Sequence, residues 1–385
     1  MIKVYETLRA TILANLGIDY TVTGDLLNLC FAGNLAPDSL TSFFSKYDIE
    51  LLEYQSVWLL SKLSGQLQYK GVPEEQVPRV RGVVKKFMVV NGRRLCILPA
   101  VLDALSKAGV EIMLLGGTAM KVFYEPGETR YESANEILVH TGDVKKTELI
   151  LEKQGFRLKD SSLFRRAYQK NDIWLVVYNA YLRTTTLTGD MADIWRHSLP
   201  IKWQGKNDTL VPCAEMMLLI LLVQALEDSC SRICDGLANQ FVTRFLDIRF
   251  FLKRSSLDWN LLVELAVRSR ITLHASLMLD ILNHLYPGLV TEELLNAFLF
   301  TDQDVVNVQR LISYNIARKQ MADAKNRHNR LGYYYSGAAA LWHLNCYCGN
   351  RSSAVSNVID FPRFISEWNG HKGIQGVLSR LGGYK

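Results

Sequence analysis

Leu114-Leu115-Gly116-Gly117-Thr118-Ala119-Met120, followed by Tyr124, Arg130 and Asn135-Glu136-Ile137-Leu138-Val139, decides how this chain is read. The apolar run from Val110 to Leu115 predicts a buried strand, the two glycines a turn into a helix, and the run ending at Val139 a second strand. This layout can seat a phosphate. Glycines let the backbone approach a bulky anion without a Cβ clash, and the free amides at the helix start point at it with the helix dipole behind them. Gly116, Gly117 and Thr118 meet that requirement. A glycine pair at a strand-to-helix turn is also a plain tight connection, so the wider pattern has to decide.

Outward from this stretch, the chain changes character twice. Before it the pattern is helical, with Leu8, Ile12 and Leu16 at helical spacing, a second packed helix around Leu51 to Leu60, and Asp38 and Thr41 as cap or turn residues after Pro37. Gly71-Val72-Pro73 and Val77-Pro78 interrupt that signal, and a further helix is expected from Pro99 to Ala108, closed by Gly109. After the glycine turn, Asp143 is placed to cap a helix carrying Val144, Thr147 and Leu151, closed by Gly155. Phe164 to Gln169 and Ile173 to Leu182 read as strands around an Asn171-Asp172 hairpin turn, with Trp174, Val176, Tyr178 and Ala180 on one face. After Pro212 helices return, over Phe241 to Leu252, Asp258 to Val267 and Leu273 to Leu285, with breaks at Gly288, Gly332 and Gly337. The expected class is α+β: a small mixed-sheet core over 96–210, a helical region over 1–95 and a helical domain over 211–385.

Bulk properties bound the partners. A chain of 385 residues exceeds one compact core, and 49% hydrophobic with 21% charged residues is a globular composition. The net charge of +6 suits an anionic ligand such as a nucleotide and falls short of a nucleic-acid coating protein. Seven cysteines form no disulfide framework, and Lys3, Glu6 and Arg9 break any signal-peptide core, so a reducing cytoplasm is the expected compartment. The longest apolar run, Met216 to Val223, is far below the roughly 20 residues of a membrane span and reads as a buried core helix.

The same residues carry a resemblance. Gly116-Gly117-Thr118-Ala119-Met120, Tyr124, Pro126, Arg130 and Ala134-Asn135-Glu136-Ile137-Leu138-Val139 resemble the core motifs of the uncharacterised nucleotidyltransferase family, within the polymerase-beta-like superfamily. Leu149 to Phe156 looks like that family's helix ending in Gly-Phe, Ile194 to Leu218 like its bridging segment and following helix, and Phe245-Leu246-Asp247-Ile248 with Asp258-Trp259 like its helical region. The resemblance covers about Val101 to Leu282. It implies transfer of a nucleoside monophosphate from a nucleoside triphosphate to an acceptor hydroxyl or phosphate, with Mg²⁺. Glu136 would then be the catalytic, metal-binding residue, Gly116, Gly117 and Thr118 would cradle phosphate, and Arg130 would offset its charge.

The departures from the family pattern point elsewhere. In the superfamily two carboxylates one residue apart on a strand, and a third on a neighbouring strand, hold the metal ions. Here the first position is Ala134, the second is Glu136, and the third falls within Leu175-Val176-Val177-Tyr178-Asn179, which holds no acid. Glu132 shares the strand face of Glu136 but stands about 13 Å along it. Asp172 belongs to the hairpin turn. One carboxylate cannot clamp two divalent ions; it suffices at most for a weak single Mg²⁺ site shared with phosphate oxygens. The expected function is therefore that of a degenerate member, a nucleotide-binding pseudoenzyme or a scaffold for a protein partner; the alternative is an active nucleotidyltransferase using Mg²⁺.

The remaining motifs have bland structural roles open to them. Lys121 is expected in the first turn after the glycines, as phosphate contact or solvated surface. Cys230 with Cys234, and Cys346-Tyr347-Cys348 near His343, lack zinc-ligand spacing and read as buried thiols. Arg318 to Arg330 before Tyr333-Tyr334-Tyr335 reads first as a solvated helix face before a packed aromatic turn, and nucleic acid is not an expected partner. Arg79, Arg81, Lys85, Lys86, Arg93 and Arg94 would lend positive potential to a nucleotide pocket if they fold against the glycine turn.

Overall fold

The computed structural model describes residues 5–6, 9–10, 22–31, 35–52, 54–124, 130, 134–161, 165–179, 192–204, 207–231, 240–253, 256–269 and 271–300. The expectations for Leu8, Ile12 and Leu16, for Glu132, for Cys234, and for everything beyond residue 300 lie outside these residues, as does the side chain of Cys230.

The chain starts with helices because its first apolar residues recur at helical spacing. These are α1 (Val22–Phe31), α2 (Pro37–Lys46), α3 (Tyr54–Gln66) and α4 (Val77–Lys107). In α2 the first helical residue is Pro37, with Asp38 inside the first turn and no side-chain cap; the Thr41 hydroxyl donates back to the Pro37 carbonyl at 3.3 Å. The long helix α4 corrects the expected break at Val77-Pro78. Pro78 stands in its first turn, where the missing N–H had no partner to lose, so it starts the helix instead of ending one. Pro99 is carried inside the same helix. Its end was legible: Gly109 takes φ +70°, and Val110 N–H reaches back to the Leu105 carbonyl at 3.0 Å. The helix runs through residue 95, where the first two regions were expected to meet.

A mixed seven-stranded sheet follows, in the order β3-β4-β5-β2-β1-β7-β6, from β1 (Ile112–Leu115), β2 (Asn135–Val139), β3 (Arg157–Ser161), β4 (Arg165–Lys170), β5 (Ile173–Tyr178), β6 (Ser198–Trp203) and β7 (Asn207–Pro212). The two strands nearest the middle, β1 and β2, are antiparallel; each pairs in parallel with its outer neighbour, β1 with β7 and β2 with β5. All four residues of β1 are buried, as its unbroken apolar run requires. The hairpin of β4 and β5 turns at Asn171, which takes φ +54°. The outermost strands were not read from the sequence. Every residue of β3 is exposed and it carries no apolar alternation, while β6 contains Pro200, a residue that only an edge strand tolerates. The segment expected only as a bridge therefore supplies two strands, β6 and β7.

Short helices connect the sheet: α5 (Gly116–Phe123), α6 (Val144–Lys153) and α7 (Ala192–Arg196). Asp143 sits at the start of α6, but its side chain makes no capping bond. The sequence then returns to helix with α8 (Ala214–Ser231), α9 (Gln240–Lys253), α10 (Trp259–Arg268), α11 (Thr272–Leu285) and α12 (Glu292–Ala297). Met216 to Val223 in α8 are buried on every side of the helix, which makes α8 the axis on which α9, α10 and α11 pack. Among the described residues no helix is long and apolar enough to cross a membrane. Asp258 caps α10 by accepting from the amides of Asn260 and Leu261, and its own amide donates to Glu215 at 2.9 Å, tying α10 to α8. The chain is thus α+β, a mixed sheet with helical regions before and after it.

The thiols give this packing a direct test. Burial pushes the Cys30 thiol up to about 12 and the Cys213 thiol up to about 11, whereas Cys96 is exposed on α4. At pH 8 a thiol-specific reagent read by peptide mass mapping is expected to modify Cys96 before Cys30 and Cys213. Cys30 should react only once denaturant opens the core, and the half-buried Cys213 more slowly than Cys96, because the thiolate is the reactive form. Equal rates at all three would contradict the packing described.

Candidate functional site

The glycine turn lies at the end of β1, directly opposite β2. Leu115 pairs with Glu136 across the sheet, and helix α5 starts at the next residue. Gly116 takes φ +53°, a conformation that disfavours any residue with a Cβ. Space demands glycine as well: a Cβ there would stand 2.6 Å from Cδ and 3.1 Å from Oε1 of Glu136. The Glu136 carboxylate is therefore folded against the first residue of α5, where the helix dipole favours negative charge. No side chain caps the start of this helix among the described residues, so its first amides remain the kind of group an anion binds.

Thr118 is fully buried, and its hydroxyl accepts the Glu136 N–H at 3.2 Å. Its side chain thus pins α5 to β2, which leaves its backbone as the part that can face a phosphate. Lys121 lies in the last turn of α5, not the first, because the helix begins at Gly116 itself.

The strand beside Glu136 is β5, and Val176 is its partner in parallel register. Residues two apart share a strand face, so Ala134 lies on the side of Glu136, and Trp174 and Tyr178 on the side of Val176. Ala134, Val176 and Ala167 of β4 form a small buried apolar cluster, with Trp174 and Tyr178 packed against it. Two divalent ions bridging a triphosphate need several oxygen ligands around this point. Glu136 offers one carboxylate; Ala134 and Val176 offer none. Among the described residues no group of three His, Cys, Asp or Glu side chains could hold a metal ion. The described residues around this point do not by themselves supply a two-ion Mg²⁺ centre. Asp172 sits at the hairpin turn, 3.7 Å from Arg93, with both side chains exposed.

Arg130 is held by a partner the sequence did not suggest. Its Nη2 donates to Oδ2 of Asp247 at 2.5 Å and its Nε lies 2.9 Å from the same oxygen. The Tyr124 hydroxyl donates to Oδ1 of Asp247 at 2.7 Å. Asp247 is completely buried on α9, and Arg130 nearly so. The Arg130 carbonyl in turn accepts from Asn91 of α4 at 2.7 Å, and Asn91 accepts from Arg94 at 2.6 Å. Arg94 is buried, and its carbonyl accepts from Asn135, the neighbour of Glu136, at 3.0 Å. A polar chain thus runs from α4 behind β2 to α9.

This divides the basic cluster of α4. Arg94 turns into the core behind β2, while Arg79 pairs with Glu50, Arg81 lies 4.6 Å from the Tyr69 ring, and Arg93 faces Asp172. Asp247 and Asn91 had one signal in the sequence: each is a polar residue within an apolar helical face, and a buried polar group needs a partner.

A strand and a glycine turn opening a helix, beside a strand bearing an acidic residue, in a mixed sheet with helices on either side, define a nucleotidyltransferase-type core. A family model described as "Uncharacterised nucleotidyltransferase" matches residues 58–287, more than half of the chain, and the protein belongs to that family. No curated protein matches it.

Proposed function

We propose that this protein is a degenerate nucleotidyltransferase, which binds a nucleoside triphosphate at the glycine turn without transferring its nucleotidyl group. The observation that carries this reading is the apolar cluster of Ala134, Val176 and Ala167 on the face that the family resemblance assigns to metal-binding carboxylates. Gly116, Gly117 and Thr118 supply backbone amides for the phosphates, and binding of this kind needs no metal. Arg130 serves it from a distance: bound to Asp247, it fixes the approach of the chain to β2. The family membership makes a nucleotide the ligand class to test first.

One observation favours the active alternative. Glu136 lies against the glycine turn, where a carboxylate could share a single Mg²⁺ with phosphate oxygens.

Calorimetric titration of each nucleoside triphosphate, first with EDTA and then with Mg²⁺, separates these readings. The expected result is binding of comparable strength in both buffers and no release of pyrophosphate. Binding that needs Mg²⁺, accompanied by pyrophosphate release, would replace this reading with the active one. Absence of binding in either buffer would leave a scaffold for a protein partner.

A further inference from the structure

Away from the glycine turn, three cations gather where α1, α3 and α9 meet. Lys62 of α3 lies 5.9 Å from the Trp58 ring and 5.5 Å from the Tyr124 ring. Arg249 of α9 lies 5.1 Å from the Phe31 ring at the end of α1, and Phe31 stacks on Tyr286 at 3.8 Å. Lys253 follows one turn further along α9. The buried Cys30 thiol senses both Lys62 and Arg249, which draw its pKa down against the larger effect of burial. Arg249 is partly withdrawn from water, and its Nε is buried with no hydrogen-bond acceptor among the described residues. Burial lowers the pKa of its guanidinium, and burial with the Arg249 charge lowers that of Lys253.

Positive charge taken from water calls for negative charge beside it. Among the described side chains, Glu215 of α8 accepts the Asp258 amide, and the carboxylates of α1, α9 and α11 are likewise engaged elsewhere. Asp25 of α1 accepts from Lys46 at 2.6 Å and Tyr47 at 2.7 Å. Asp247 of α9 holds Arg130 and Tyr124. Asp280 of α11 accepts from Tyr5 at 3.1 Å and Arg9 at 3.3 Å. Helix α3 carries no acid at all. Aromatic rings beneath Lys62 and Arg249 offset part of the charge and also fix where the cations stand.

We propose that this cluster is a second anion site, which receives a phosphate group of a ligand outside the chain. Arg249 presents the fork that matches phosphate oxygens, and Lys62 and Lys253 add point charges. The site is separate from the glycine turn. Tyr124 follows the last residue of α5 and Gly116 is the first, so the length of that helix, about 12 Å, lies between them. That spacing fits a phosphate on an acceptor molecule, and the far end of a nucleotide's own phosphate chain is the other source of the same chemistry. The inference stands on these residues whether or not the glycine turn holds a nucleotide.

The test uses the full chain in EDTA, titrated with inorganic phosphate and with pyrophosphate. Both are expected to bind and to raise the melting temperature by roughly 3–5 °C at about 100 times Kd. Arg249→Met is expected to bind about tenfold more weakly or worse. In phosphate-free buffer it should melt no lower than the parent, because removing a desolvated, uncompensated cation removes a cost. Lys62→Met, on a different helix, should weaken binding in the same direction. Phosphate binding that persists beside a saturating nucleoside triphosphate would mark an acceptor's phosphate; competition would mark the nucleotide's own. The proposal would be overturned by no binding of either anion to the parent chain, or by binding to both variants as tight as to the parent. A several-degree loss of stability in phosphate-free Arg249→Met would also overturn it, since the charge would then be neutralised within the chain. Failure of the nucleoside triphosphate to bind, with phosphate still bound, would sink the glycine-turn reading and leave this one intact.

Discussion

Asp247→Ala is expected to lower the unfolding free energy by about 3–5 kcal/mol, the largest loss foreseen for any single site here. The reason lies in what the substitution strands. Arg130 and Asp247 are almost wholly shielded from water, and the same carboxylate satisfies the Tyr124 hydroxyl. Removing the carboxylate takes this acceptor from a guanidinium and a hydroxyl in a low-dielectric pocket, and that penalty exceeds the net value of the pair itself. Removing both charges is a milder change. The double variant Arg130→Met/Asp247→Leu is therefore expected to regain most of the lost stability, and chemical denaturation of the parent, Arg130→Met, Asp247→Leu and the double variant yields the coupling. A loss below about 1 kcal/mol for Asp247→Ala would mean that the pair is solvated and does not join α9 to the sheet.

Gly116→Val is expected to weaken nucleotide binding about 100-fold or more while the protein still folds. A β-branched residue at φ +53° meets a strain of roughly 1–2 kcal/mol. Its side chain also meets the Glu136 carboxylate, which must swing away. That movement displaces the start of α5, whose amides are the proposed phosphate contacts, and losing one such contact to an anion is worth about 1.5–3 kcal/mol. Combining it with Glu136→Ala gives back space but not the backbone conformation, so binding should recover only in part. Calorimetry on the three variants reads this directly. Unchanged affinity in Gly116→Val would place the nucleotide somewhere other than this turn.

What could be read in advance followed from local chemistry. The unbroken apolar runs of β1 and α8, the Asn171-Asp172 hairpin, and the helix ends at Gly109 and Gly155 each state their structure within a few residues. Pro78 and Pro99 misled because a proline reads as a break unless its place within the helix is known, and both stand inside α4. Strand β3 was invisible because an exposed edge strand needs no apolar alternation. At the candidate site, the strand, glycine turn and helix were legible, while the roles of Glu136 and the glycines are what the family resemblance implies. That Val176 is the residue opposite Glu136 needed the register of two strands separated by three other elements. The Arg130–Asp247 pair joins residues 117 positions apart, and no local pattern encodes such a partner.

The pairing of β1 with β7 also sets the order in which the protein can be assembled. The Thr209 hydroxyl of β7 donates to the Ile112 carbonyl of β1 across 97 positions. A nascent chain therefore leaves one hydrogen-bonding edge of β1 unpaired long before its mate leaves the ribosome, whereas the opposite edge can pair as soon as β2 emerges. Until that closure, the open edge is a template on which a strand of another chain can add. The strand left open through that interval is Ile112 to Leu115, all four residues of which are buried once the sheet is complete.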